Sequence, residues 1–100
     1  MKIIVLTPVV SFVDDLTPVE IAKFLHTVEM LEQFGNQLGL PHSRHMGDGV
    51  LELRVRGKRE IRVLYCFHNK SAVILHSFIK KTEKTIPREL ALATVRMKSL

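Results

Sequence analysis

The chain predicts an α+β fold of element order β-α-α-β-β-β-α: a small antiparallel sheet packed on two N-terminal helices, with a third helix at the C-terminal end. Three observations predict it. Residues 50–56, 61–67 and 72–80 are apolar, β-branched segments separated only by the turn-forming tetrapeptides Gly57-Lys58-Arg59-Glu60 and His68-Asn69-Lys70-Ser71, and connections that short imply antiparallel hairpins. Ahead of them, Thr17-Pro18-Val19-Glu20 places a capping Thr three residues before Glu, with Pro at the first helical position. Finally, 100 residues allow one domain with a single modest core, so residues 1–100 are read as one unit.

The elements follow in order. Residues 2–6 are a short apolar run suited to a strand. They are read as a buried strand and not as a secretory leader, because Thr7-Pro8 interrupts the run and no small-residue cleavage site precedes Asp14 and Asp15. Thr7 as N-cap and Pro8 behind it open a short helix ending near Leu16. In the second helix Val19, Ala22, Phe24, Leu25, Val28, Leu31 and Phe34 recur as one apolar stripe, read as core, and Gly35-Asn36 ends it. Residues 35–49 hold four of the five glycines and Pro41 and read as a loop leading into the sheet. After the third hairpin strand, Thr85 can cap the closing helix. Pro87 lies in its first turn, and Leu90, Leu92, Ala93 and Met97 form a partial apolar face.

Composition narrows the class. A hydrophobic content of 46% with 25% charged residues is that of an ordered globular protein, and no apolar run approaches the roughly 20 residues of a spanning helix. A cytoplasmic protein is expected. The single Cys66 can make no internal disulfide and fits no zinc spacing, and its place in a strand suits a small core residue better than a nucleophile. His42 and His45 have metal-pair spacing but lack further ligands, His26 lies on a helix surface and His68 beside a turn. No metal and no cofactor is expected.

Charge is unevenly spread. Residues 1–41 carry two Lys against five acidic side chains, residues 42–100 thirteen basic against five acidic. Alternate residues of a strand share a face, so Glu52, Arg54 and Arg56 fall on one side of their strand and Leu51, Leu53 and Val55 on the other. A sheet with one apolar and one cationic face can pack on helices and still grip a polyanion, which makes nucleic acid the leading partner.

The strings LELRVR, IRVLYCF and ILHSFIKKTEKT, preceded by the LPHSRHMGDG loop and followed by a Pro-containing helix, resemble the RelE/ParE superfamily of toxins from type II toxin-antitoxin systems. The closest likeness is to its phage-derived, HigB-like branch, in which an L-x-E-L-R strand, an R-V-x-Y strand and an H-x-F-x-K-K-T-x-K-T strand end recur in that order. The resemblance spans residues 20–95. It implies a RelE-like fold and a ribosome-dependent, metal-independent mRNA endoribonuclease that inhibits translation and is silenced by a cognate antitoxin, a small helix-turn-helix protein. The matching positions are Glu52, Arg54, Arg62, His76 and Lys80 as catalytic candidates, and Arg56, Lys58, Arg59, Phe78, Lys81 and Lys84 as RNA-binding candidates. The chain departs from the wider superfamily in having no Tyr after Tyr65.

The chemistry of these residue types fits. Metal-free cleavage needs the 2′-hydroxyl to lose a proton and attack phosphorus in line, the phosphoryl charge to be neutralised and the leaving 5′-oxygen to be protonated. Arg62 suits the clamp because a planar guanidinium holds two phosphate oxygens at once. Glu52 or His76 is the candidate base, and Lys80 or Lys81 stands near the leaving group. A bland reading stands beside each. Glu52, Arg54, Arg56 and Arg62 can form a solvated sheet face with ion pairs of about 0.2–1 kcal/mol each. His76 can be a hydrogen-bonded structural residue and Phe78 a core residue under the last helix, while Tyr65 is expected to face the helices. The alternative function is a ParE-like toxin that blocks a protein such as DNA gyrase without cutting RNA.

Overall fold

The computed structural model describes residues 1–82 and 86–100. The elements are β1 (Lys2–Val5), α1 (Thr7–Asp14), α2 (Pro18–Phe34), a single 3-10 turn (Gly35–Gln37), β2 (Ser43–Gly47), β3 (Val50–Val55), β4 (Glu60–His68), β5 (Ser71–Lys80) and α3 (Ile86–Lys98). The strands form one five-stranded sheet of order β1-β5-β4-β3-β2. β1 runs parallel to β5, and β2 through β5 form an antiparallel meander. The α+β order holds, with two corrections. The sheet is mixed, because β1 joins it in parallel, and the segment read as a loop contains β2.

Local chemistry accounts for most boundaries. At α2, the Thr17 hydroxyl accepts from the Glu20 backbone N–H at 3.2 Å and the Glu20 carboxylate accepts from the Thr17 N–H at 3.0 Å, a reciprocal cap that satisfies two otherwise orphaned donors. Gly35 ends the helix at φ +56°. Thr7 does not cap α1: it lies inside the helix, and Leu6 occupies the capping position without a side-chain bond. The two tightest hairpins share one solution. Asp48 and Gly49 between β2 and β3, and Asn69 and Lys70 between β4 and β5, all have positive φ, which a two-residue turn needs to match the right-handed twist of its strands.

β1, expected to be buried, lies at the sheet edge with Ile4 and Val5 exposed. Both faces of the central strands are covered. On one, Leu51, Leu53, Val55, Ile61, Val63, Tyr65, Ala72 and Ile74 pack with Val9, Leu16, Phe24 and Leu31 of the N-terminal helical layer. Tyr65 faces these helices as expected, and its hydroxyl is hydrogen-bonded to that of the buried Ser43. On the other, Val50, Leu64, Cys66, Val73, Leu75 and Phe78 pack with Ala93 of α3, joined by Ile86, Leu90 and Met97. The second face is therefore a core in its own right and is cationic only toward the β2–β3 edge. β5 carries an extra residue, since Leu64 pairs with His76 but Tyr65 with Ile74. This bulge turns Leu75 and His76 together toward α3. Cys66 is buried, and burial pushes its thiol above the ordinary range.

The apolar stripe of α2 is narrower than the sequence implies. Phe24 and Leu31 are buried, whereas Val19, Leu25 and Phe34 are exposed, Leu25 by 52%. On α3, Leu92 is exposed as well. Leu31→Ala removes a fully enclosed side chain and is expected to cost about 2–5 kcal/mol, while Leu25→Ala is expected to stay within about 0.5 kcal/mol of the parent. Urea unfolding of the two variants reads the difference directly.

Candidate functional site

The meander assembles a compact ionic cluster. β3 and β4 set Arg54 opposite Arg62, and Glu52 lies one pleat repeat away on the same face. β2 brings Arg44 opposite Glu52. The Glu52 carboxylate is wholly buried and Arg62 is 4% exposed. Oε1 of Glu52 accepts from Arg62 Nη1 at 2.9 Å and from Arg44 Nε at 3.0 Å, and Arg54 Nε stands 3.7 Å from the same oxygen. Its Oε2 has no hydrogen-bond partner among the described residues. Arg62 also donates through Nη2 to the exposed Glu60 at 3.2 Å. Three guanidinium groups thus share two carboxylates. The Arg54 and Arg44 side chains remain 28% and 39% exposed, so the surplus positive charge opens to solvent on their side.

His76 is occupied elsewhere. Its Nε2 is bonded to Glu89 of α3, and Arg96 Nη1 reaches both His76 Nδ1 at 3.1 Å and the Leu75 carbonyl at 2.8 Å. A guanidinium can only donate, so Nδ1 is the acceptor and the Nε2 proton points at the carboxylate. The ring stacks on Phe78 at a centroid distance of 5.7 Å. His76 is a hydrogen-bonded strut between β5 and α3. Phe78, opposite Arg62, is buried in the second core, and its ring is the core residue of the bland reading, with no exposed face for a base.

The remaining described candidates lie at the end of β5 and at the β3–β4 turn. Lys80 is half-buried opposite Glu60, and Lys81 is exposed beyond it. Lys84 and the cap expected at Thr85 lie outside the described residues. Arg56 and Lys58 are exposed at the β3–β4 turn. Arg59 is committed to a structural pair: its Nε and Nη2 donate to the two oxygens of Glu20 at 2.8 and 2.6 Å, fastening the turn to the N-terminus of α2. This bond from Arg59, with the Thr17 backbone N–H second, holds the Glu20 carboxyl well below its ordinary 4.5, at about 2.

Sequence reasoning missed Arg44, which lay in the supposed loop. The signal was present: Asp48-Gly49 between Met46 and Val50 is a strong two-residue hairpin motif. With the hairpin recognised, simple counting back sets His45 opposite Glu52; a bulge at Met46 shifts the register by one and brings Arg44 there instead.

A family model described as phage derived protein Gp49-like (DUF891) matches residues 11–98, which takes in the end of α1, α2, the whole meander and α3. The chain belongs to this Gp49-like family. No curated protein matches it. In this Gp49-like chain, no group of three or more His, Cys, Asp or Glu side chains placed to hold a metal ion occurs among the described residues. No helix among them is long and apolar enough to cross a membrane.

Two predictions follow from these ion pairs. Glu52→Gln removes the buried one of the two carboxylates bonded to Arg62, and is expected to destabilise the fold by about 3–5 kcal/mol, read as a lower urea midpoint. Glu20 has a depressed folded-state value, so its contribution is complete above its unfolded value of 4.5 and is lost as pH falls from there toward about 2. Urea midpoints measured across that window should fall less steeply in Glu20→Gln than in the parent.

Proposed function

We propose that this Gp49-like protein is a RelE/ParE-type, HigB-like toxin that cleaves mRNA on the ribosome. The observation that supports the reading is the convergence of Arg44, Arg54 and Arg62 on one buried carboxylate oxygen. The cluster carries more positive than negative charge, and its two outer members are open to solvent. A guanidinium pair pre-oriented in this way is suited to a phosphoryl group whose charge grows during in-line attack. In the proposed reaction the 2′-oxygen forms a bond to phosphorus as the bond to the 5′-oxygen breaks, leaving a 2′,3′-cyclic phosphate. The 2′-hydroxyl gives up a proton and the 5′-oxygen gains one. Arg54 and Arg44, the two solvent-open members, act as the clamp. Arg62, expected from its sequence position to be the clamp, is buried and held by Glu52 and Glu60 behind them. Lys80 and Lys81 at the end of β5 lie on the leaving-group side.

Glu52 has a different role in this reading from the one its sequence position implied. A wholly enclosed carboxylate cannot reach a 2′-hydroxyl, so Glu52 serves as the positioning residue that spaces the arginines. His76, with both ring nitrogens engaged, braces β5 against α3. Silencing is assigned to an antitoxin, a small helix-turn-helix protein with an acidic segment that covers Arg54 and Arg44. The engagement of both acid–base candidates is also the observation favouring the second reading, a ParE-like protein that inhibits a partner such as DNA gyrase.

A translation reaction with purified protein, followed by primer extension on the message, separates the two. Arg54→Ala and Arg44→Ala are run alongside, with circular dichroism to confirm folding. Cuts confined to translating ribosomes, reduced about 10²–10³-fold in either variant, are the expected result for loss of one clamp donor. An intact message from the parent protein would reject the ribonuclease and leave gyrase inhibition to be measured.

A further inference from the structure

We infer that the cleft between α2 and the end of β3 is a nucleotide subsite, which seats a nucleotide of single-stranded RNA next to the arginine cluster. The inference rests on the ribonuclease reading and adds a site to it. The cleft has a volume of about 620 Å³, within the range of small-ligand sites. Its buried side is formed by Val55 and Thr27 with the half-buried Met30, and its rim by the exposed Lys23, His26, His42 and Arg56. Among the described residues, no acidic side chain lines it. An apolar floor beneath a cationic rim matches a ligand that is flat and apolar at one end and anionic at the other.

Arg54 joins this cleft to the cluster. It lines the cleft, and its Nε lies 3.7 Å from the Glu52 carboxylate. Its backbone N–H donates to the His42 carbonyl at 3.3 Å, which extends the β2–β3 pairing and holds the His42 imidazole at the cleft mouth. Histidine rings and guanidinium planes are surfaces on which an unstacked base can lie, and Lys23, Arg54 and Arg56 are within one concavity to meet its phosphates. An acidic peptide fits less well. β2 pairs β3 along residues 50–53 and reaches Arg54 through the His42 carbonyl, which leaves only Val55 at the end of β3 beyond it, too short an edge to hold a peptide backbone.

The test is a two-dimensional NMR titration of the isotopically labelled protein with adenosine 5′-monophosphate, and in parallel with inorganic phosphate and with a poly-glutamate peptide. The expected result is saturable shifts at the amides of Ala22, Lys23, Thr27 and Val55, tighter with the nucleotide than with phosphate. Ala22→Glu, a helix-compatible change at an exposed lining position, and Arg56→Glu at the rim should each weaken nucleotide binding by about tenfold or more. No shifts at these amides, equal affinity for phosphate, or shifts produced by poly-glutamate and not by the nucleotide would each overturn the subsite. The message assay reports separately: cuts without nucleotide shifts reject the subsite alone, and nucleotide seated in the cleft with an uncut message rejects the ribonuclease alone.

Discussion

Burying a carboxylate costs several kcal/mol in lost hydration, and Glu52 meets that cost by drawing three guanidinium groups to one of its oxygens. A close charge pair near a protein surface returns up to about 4 kcal/mol at an effective dielectric of 20, so one partner would leave Glu52 near balance and several do not. The arrangement couples three strands. Arg44 comes from β2, Glu52 and Arg54 from β3, and Arg62 from β4, so a shift of register in any of them separates the charges. The cluster thereby holds the meander in one alignment. The three cations also repel one another, and the only wholly buried anion among them bonds through one oxygen. Such a group gains from a further anion on its solvent side, whether phosphate or carboxylate.

A division of labour follows across the second face of the sheet. Toward β5 it is sealed by α3, with Leu64, Cys66, Val73 and Leu75 in a dry core and His76 tied to Glu89 and Arg96 at its margin. Toward β2 it is ionic and partly open. α3 therefore governs how much of the face is available, and its hold on the sheet includes the polar bonds from Arg96 as well as the apolar contacts of Leu90 and Ala93.

What the sequence made legible was what is local. The capping box at Thr17, the two hairpin turns after β3 and β4, and the pairing of Arg54 with Arg62 all depend on residues close in the chain or on strict alternation. β2 was hidden because Ser43, Arg44 and His45 have no strand character of their own; pairing with β3 makes them a strand. The covered second face was misjudged by weighing the arginines of β3 over the unbroken apolar runs Val63–Cys66 and Ala72–Leu75, which mark strands buried on both sides. The spacing of Glu52 and Arg54 showed that they share a face, but not that the carboxylate lies beneath the guanidinium groups. Depth depends on what packs above, and alternation carries no information about that. The exposure of Leu25 and Val19 has the same origin: the helical period gives a direction around α2, and the width of the contact with the sheet decides how many residues it hides.

The parallel pairing of β1 with β5 sets an order of assembly. Lys2 pairs with Ser71 and Val5 with Ile74, so the first strand to be made waits for nearly the last, and closing so long a loop is slow compared with forming the hairpins of the meander. During synthesis β2, β3 and β4 can pair while β1 still has only water for its backbone groups. The arginine cluster belongs wholly to those three strands and so takes shape before the sheet is complete. In the interval β1 is an unpaired apolar strand, open to any other chain with a free edge. A protein proposed to act on ribosomes is in this way itself unfinished on the ribosome until residues 71–80 have been made.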